Sequence, residues 1–159
     1  MSITYRAAKP DDVDTITKLS VKLYDEMALY KENDVKKHEE LEFFAYNESD
    51  LRNKNMAMFL AFDGEKAVGF SHVFIRYEYV IGTESAPPVG YLEGIYVCPE
   101  YRRRGVAKAL VLMCEEWSGE KGCAEFASDC ELGNTESLKF HLKIGFRETN
   151  RIIFFAKKL

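Results

Sequence analysis

The sequence predicts a mixed α+β protein, and three observations carry that prediction. Two apolar strand-like runs, NMAMFLAF and KAVGFSHVFIRYEYV, flank Asp63-Gly64, a pair that favours a hairpin. Apolar residues three or four apart, after Pro10 and again after Gly105, read as amphipathic helices. The second half then alternates strand with helix, which implies helices packed on a sheet.

In order, ITYRAA is a short first strand, and Pro10, Asp11 and Asp12 start a helix with Val13, Ile16, Leu19 and Leu23 on one face. A more polar helix is expected from Val35 to Tyr46, with Asp34 as its cap. The hairpin follows, its second strand running on to Val80 and presenting Tyr77 and Tyr79 on one face. GTESAPP is a loop, and VGYLEGIYV is a strand whose internal Gly94 suggests a bulge or a close backbone approach. Gly105 to Trp117 forms a helix with Val106, Leu110, Met113 and Trp117 on its stripe. CAEFASD is a strand, and Asn134 caps a helix from Thr135 to Lys143 that stops at Gly145. FRETNRIIFFAKK is read as a closing strand.

A chain of 159 residues suits one domain over 1–159. Its net charge of -4 argues against nucleic acid, since phosphate neutralisation needs a basic face. No apolar run reaches membrane-spanning length, and MSITYRAAKP lacks the apolar core of a leader, so a cytoplasmic location is expected. Cys98, Cys114, Cys123 and Cys130 form no C-x-x-C pair and have no histidines at ligand spacing. They are read as reduced, mostly buried thiols, with no metal site.

The distinctive stretch is LEGIYVCPEYRRRGVA. A strand leads through three arginines into a helix that opens on Gly-Val-Ala. The first amides of a helix lack internal partners and the dipole there attracts anions. Gly105 lets a ligand approach the backbone, and the arginines add forked donors. A solvated turn is the plain alternative; the position between a buried strand and a helix start favours phosphate binding. Neither a Walker loop nor a dinucleotide fingerprint is present.

The pattern R-x-x-G-x-A, met by Arg102, Gly105 and Ala107, resembles the acyl-CoA signature of the GNAT superfamily of N-acetyltransferases. The later N-x-x-S and GF words appear as Asn134, Ser137 and Gly145-Phe146. The resemblance implies a central, mostly antiparallel sheet with one splayed parallel strand pair, flanked by helices, and acetyl-CoA as co-substrate. The pair would be VGYLEGIYV and CAEFASD. The pantetheine arm would bond backbone near Ile95 and Val97, and the pyrophosphate would rest on the loop Arg102, Arg103, Arg104, Gly105, Val106 and Ala107. Asn134 is placed with the cofactor residues on the same ground.

The words IRYEYV, LEGI, PEYRR and EFASD resemble more narrowly the aminoglycoside 6'-N-acetyltransferases. That resemblance covers the chain from about Ile75 onward and implies a polycationic amine substrate, antibiotic resistance and a homodimer. Carboxylates and hydroxyls suit such a substrate: Asp129, Glu131 and Glu136 after the second cleft strand, Tyr77 and Tyr79 before the first, and acids of the segment from Tyr24 to Glu42. Glu93, a lone acid on an apolar strand, is read as the general base; a structural carboxylate serving free amides at the bulge is the alternative. His141 stands where many superfamily members carry a tyrosine that protonates the leaving thiolate. It is read as that acid or as a helix-surface histidine without a role. Direct attack is expected rather than an acetyl-cysteine intermediate, because no cysteine shows a histidine partner; Cys98 is the one to test. Another polyamine or a protein amine as acceptor, or a non-catalytic acyl-CoA-binding module, are the competing functions.

Overall fold

In the computed structural model, which describes residues 2–29, 46 and 48–159, one sheet carries its strands in the order β1-β2-β3-β4-β5. β1 (Ile3–Ala7), β2 (Met56–Asp63), β3 (Lys66–Arg76) and β4 (Val89–Val97) pair antiparallel in succession, and β5 (Phe126–Ser128) lies parallel to β4. The helices are α1 (Val13–Ala28), the single turn α2 (Glu48–Leu51), α3 (Val106–Glu120) and α4 (Thr135–Lys143).

A 3-10 turn over Pro10–Asp12 leads into α1. The Asp12 carboxylate fixes it by accepting from Lys9 N at 2.7 Å and from Arg6 Nη1 and Nη2 at 2.6 and 2.8 Å. Ile16 and Leu19 of α1 then bury against Met58, Leu60, Phe70 and Tyr96 on one face of the sheet. On the other face α3 packs Val106, Leu110, Val111 and Cys114 over Phe59, Val68, Val73, Leu92 and Val97. Each fully buried aliphatic side chain contributes about 1.5–3 kcal/mol of transfer free energy, so these two layers hold β4 in place from both sides.

β4 carries two irregularities. His72 pairs with Gly94 and Val73 with Leu92, so Glu93 is an extra residue, a β-bulge, in the ladder with β3. On its other edge β4 pairs with β5 only through Gly90–Phe126, Tyr91–Ala127 and Leu92–Ser128. Beyond Leu92 the parallel pair opens.

The structure departs from the sequence reading in four places. β3 stops at Arg76, which pairs with Val89, the first residue of β4; past that point the strand has no partner, so Tyr77 and Tyr79 lie in the connecting segment. β5 is three residues of the expected seven. Gly105 is the cap rather than the first residue of α3, which extends to Glu120. FRETNRIIFFAKK forms no strand: Ile152, Ile153, Phe154 and Phe155 are exposed. No described element covers these four consecutive apolar residues. Of the expected helix Val35 to Tyr46 only Tyr46 is described, and it is not helical. The other acids proposed there, from Glu32 to Glu42, lie outside the described residues.

Candidate active site

The opening between β4 and β5 has a polar wall on the side of α1. The bulge turns Glu93 toward that side, where Arg76 Nη2 donates to Glu93 Oε2 at 2.8 Å. The Arg76 guanidinium also approaches Glu78 at 3.6 Å and lies 5.0 Å from the centre of the Tyr91 ring. Tyr91, two residues before Glu93, donates its hydroxyl to Asp129 Oδ1 at 2.5 Å. Burial, and then this bond, pushes the Tyr91 hydroxyl above the usual phenol range, so it stays a donor near neutral pH. Glu93 and Asp129, 36 positions apart in sequence, are thus joined through Arg76 and Tyr91 into one cluster at the mouth of the opening.

Beneath the bulge the surroundings are less accessible. His72 is 3% exposed and its Nδ1 is 2.9 Å from the Tyr46 hydroxyl. Its Nε2 has no hydrogen-bond partner among the described residues. Burial, with a smaller contribution from Arg76, lowers the His72 pKa to about 4, so the ring is neutral. Burial also raises Tyr24 of α1, and the charge of Glu93 raises it further. Glu93 therefore faces water on one side and a layer of neutral hydroxyls on the other.

The basic loop has the backbone a phosphate site requires. Gly105 has φ of 83°, and a Cβ built there would meet nothing within 4 Å. Arg103, with φ of 62°, adopts the left-handed region too. The first intrahelical bond of α3 runs from Ala109 N to Gly105 O, which leaves the amides of Val106, Ala107 and Lys108 directed out of the helix end. The three arginines divide their roles. Arg102 folds back, with Nε on Val97 O at 2.8 Å and Nη2 on Glu26 of α1 at 2.6 Å, so its side chain is committed to the fold. Arg103 and Arg104 remain exposed, Arg104 stacking 5.6 Å from the Tyr101 ring centre.

Asn134 caps α4, its Oδ1 accepting from Ser137 N at 3.0 Å. On that helix His141 is bonded at both nitrogens, Nδ1 to Ser137 O at 2.7 Å and Nε2 to Ser128 Oγ at 3.0 Å. It is no free surface histidine. Ile95 and Val97 lie on the open edge of β4, although Val97 O already accepts from Arg102. Three residues expected at the substrate stand apart from the cluster. Tyr77 donates to Asn55 Oδ1 at 3.4 Å, Tyr79 is 68% exposed, and Glu136 pairs with Lys139 at 2.8 Å, which holds its carboxyl below the usual range. Glu131, half-buried, follows Asp129 on the segment leading to α4.

Sequence reasoning missed Arg76, Tyr91, Ser128 and His72. Tyr91 was accessible through strand alternation with Glu93. Arg76 required the register between β3 and β4, and Ser128 required the register between β4 and β5. Cys98 is buried in the core below α1, and burial pushes Cys114 up to about 12, so neither is placed as a nucleophile. Among the described residues no three of His, Cys, Asp or Glu cluster as metal ligands, and no helix is long and apolar enough to cross a membrane.

The acetyltransferase (GNAT) family model matches residues 21–146. The chain belongs to the GNAT family. It is an acetyl-CoA-dependent N-acetyltransferase, and its mixed sheet with one parallel pair, flanked by helices, is the GNAT fold. Aminoglycoside N(6')-acetyltransferase type 1 of Salmonella typhimurium strain LT2 is 45% identical over 114 residues, 72% of this chain and 78% of that one. The protein of the same name from Stenotrophomonas maltophilia is 44% identical over 111 residues, 69% and 71% of the two chains. Among solved structures, AAC(6')-Iy in complex with the bisubstrate analogue CoA-S-monomethyl-acetylneamine aligns at a TM-score of 0.83 with 33% identity, covering 100% of both chains. The aminoglycoside 6'-N-acetyltransferase AAC(6')-Ih of Acinetobacter baumannii aligns at 0.80 with 32% identity over 99% of each.

Proposed function

We propose that this GNAT enzyme transfers the acetyl group of acetyl-CoA to the 6'-amino group of aminoglycosides, and so confers resistance to them. The observation that carries the reading is the joined cluster of Glu93 and Asp129 at the mouth of the β4–β5 opening, in a chain about 45% identical to enzymes named for that activity. Acetyl-CoA lies in the opening, its arm along Gly94 to Val97 and its pyrophosphate at the amides of Arg103 to Ala107, with Arg103 and Arg104 adding charge. Asp129, held by Tyr91, anchors an ammonium of the substrate, with Glu131 beside it. Tyr77, Tyr79 and Glu136 contact the substrate from outside that cluster.

Glu93 accepts the proton of the attacking amine, directly or through water. For this Arg76 must yield the carboxylate, and a polycationic substrate supplies the replacing charge. Amides of the open β4 edge near Ile95 polarise the thioester carbonyl. Attack is direct, and His141 serves the departing thiolate. The protein acts as a homodimer in the cytoplasm; the exposed Ile152, Ile153, Phe154 and Phe155 call for a second copy, and four unpaired cysteines suit a reducing compartment.

The test is thiol release from acetyl-CoA with kanamycin or tobramycin, beside spermidine and an analogue carrying a 6'-hydroxyl. Rapid release that vanishes with the 6'-hydroxyl analogue is expected. Release with spermidine alone would move the acceptor to another class of amine.

A further inference from the structure

Ser128 forms the last β4–β5 pair with Leu92, where the two strands part. Its Oγ is 3.1 Å from Leu92 O and 3.0 Å from His141 Nε2. A carbonyl only accepts, and a hydroxyl has a single hydrogen to donate. His141 Nδ1 lies 2.7 Å from Ser137 O, so that nitrogen carries its hydrogen. With a neutral imidazole, Nε2 is a lone pair, and the Ser128 hydroxyl must choose between it and Leu92 O. With an imidazolium, Nε2–H donates to Ser128 Oγ while Ser128 O–H donates onward to Leu92 O, and all three contacts are made at once. Phe140 and Phe146 flank the ring at 5.5 and 5.2 Å between centres and hold its orientation. This is a hydrogen-bond chain that passes one net proton by two transfers, His141 at its inner end and Ser128 at its tip. Because both nitrogens of His141 are occupied, a proton leaving that ring toward the opening passes through Ser128.

We propose that Ser128 is the group that protonates the leaving thiolate, recharged by His141 behind it; this rests on the reading of the β4–β5 opening as the site of acetyl transfer. As the C–S bond of the tetrahedral adduct breaks, its electron pair passes to sulfur. The Ser128 O–H turns from Leu92 O to sulfur and gives up its proton there, while Ser128 Oγ takes the Nε2 proton of His141. The neutral imidazole regains a proton from solvent, to which Glu93 has released the proton taken from the amine. Thioester and amine become thiol and amide with no other reactant. Ser128 is then the catalytic residue of this step and His141 a positioning residue acting through it.

The experiment measures thiol release with acetyl-CoA and tobramycin for the wild type, Ser128→Ala, Ser128→Thr, His141→Gln and the double variant Ser128→Ala/His141→Gln. A thiolate is a tolerable leaving group, so the acid contributes less than the usual roughly hundredfold or more: Ser128→Ala lowers kcat roughly tenfold, with both KM values within about twofold. His141→Gln loses a similar factor, and the double variant loses no more than the worse single one, because the same chain is cut twice. Ser128→Thr, which keeps the hydroxyl, retains most of the rate. In mixtures of light and heavy water, kcat of the wild type follows a curved dependence from two protons in flight, and that of Ser128→Ala a straight one. A Ser128→Ala rate within about twofold of wild type, additive losses, or a loss confined to KM overturns the relay. A wild type that binds acetyl-CoA yet releases no thiol with any aminoglycoside overturns instead the assignment of function on which the relay rests.

Discussion

Gly105 and Gly64 allow the phosphate loop to be tested against a matched control. Both adopt positive φ, 83° and 60°, and a Cβ at either would meet nothing within 4 Å. Gly64 turns the β2–β3 hairpin; Gly105 caps α3 beside the arginines. Replacing either by alanine forces an L-residue into the left-handed region, at about 1–2 kcal/mol, with no clash to relieve or add. For 159 residues the unfolding entropy is roughly 0.3 kcal/mol per degree, so each variant loses about 3–6 °C of Tm. The kinetic consequences differ. At Gly105 the new methyl enters the open space against which a pyrophosphate would press, between the arginines and the free amides of Val106 and Ala107. Gly105→Ala therefore raises the acetyl-CoA KM several-fold, and Gly105→Val raises it further, while the aminoglycoside KM stays near wild type. Gly64→Ala changes neither KM. Thermal melts and thiol-release kinetics on the set measure both quantities. An acetyl-CoA KM unchanged in Gly105→Val, or raised equally by Gly64→Ala, would refute the phosphate-loop reasoning.

The remaining predictions concern the charged cluster and its support. Asp129→Ala removes a charged partner worth about 1.5–3 kcal/mol, so the aminoglycoside KM rises roughly 10–100-fold with little change for acetyl-CoA; equal effects on both substrates would indicate misfolding. Arg76→Met breaks a pair whose side chains are 37% and 41% exposed, worth about 1 kcal/mol at most, so Tm moves little. Glu93 is then freed for a cationic substrate, and the tobramycin KM falls a few-fold at low salt; a rise would mean that Arg76 holds the carboxylate in place rather than competing for it. His72, neutral in the fold with a pKa of about 4, is protonated in the unfolded chain below about 6.5. Its contribution is complete above pH 6.5 and is lost as pH falls toward 4, amounting to roughly 2.5 kcal/mol by pH 4.5. Urea titrations at pH 7.5 and 4.5 should therefore show a larger acid loss in the wild type than in His72→Gln, and equal losses would contradict a neutral buried ring.

Much of this was legible in the residues. Helix boundaries followed from local chemistry: Pro10 with Asp11 and Asp12, the Asn134 cap and the Gly145 stop all lie where the structure has them. The bulge was signalled by Gly94, although the inserted residue is Glu93 itself. What stayed hidden depends on register. Nothing local to Arg76 shows that β3 ends there or that its guanidinium reaches Glu93, because both follow from where β4 begins. The role of His141 depends on register in the same way, since its partner Ser128 is set by the parallel pairing with β4. IIFF has strand composition yet forms no strand, because composition cannot supply the neighbour a strand needs.

The bulge ties the two halves of the reaction together. A regular β4 would alternate its side chains strictly, and removing one residue would send every later side chain to the opposite face. The extra residue at Glu93 lets Leu92, Ile95 and Val97 stay with the α3 core while Glu93 and Gly94 both face the α1 side. It falls immediately after Leu92, the last residue paired with β5, and the added local twist bends β4 away from β5 at that point. On the proposed reading, the backbone edge offered to the thioester, the carboxylate offered to the amine and the Ser128 hydroxyl at the apex are therefore placed by a single irregularity, flanked by Gly94 on one side and the Leu92–Ser128 pair on the other. Changing the side chain at position 93 should remove the base and leave the cleft, whereas deleting the residue should shift the whole acyl-binding edge and abolish both functions together.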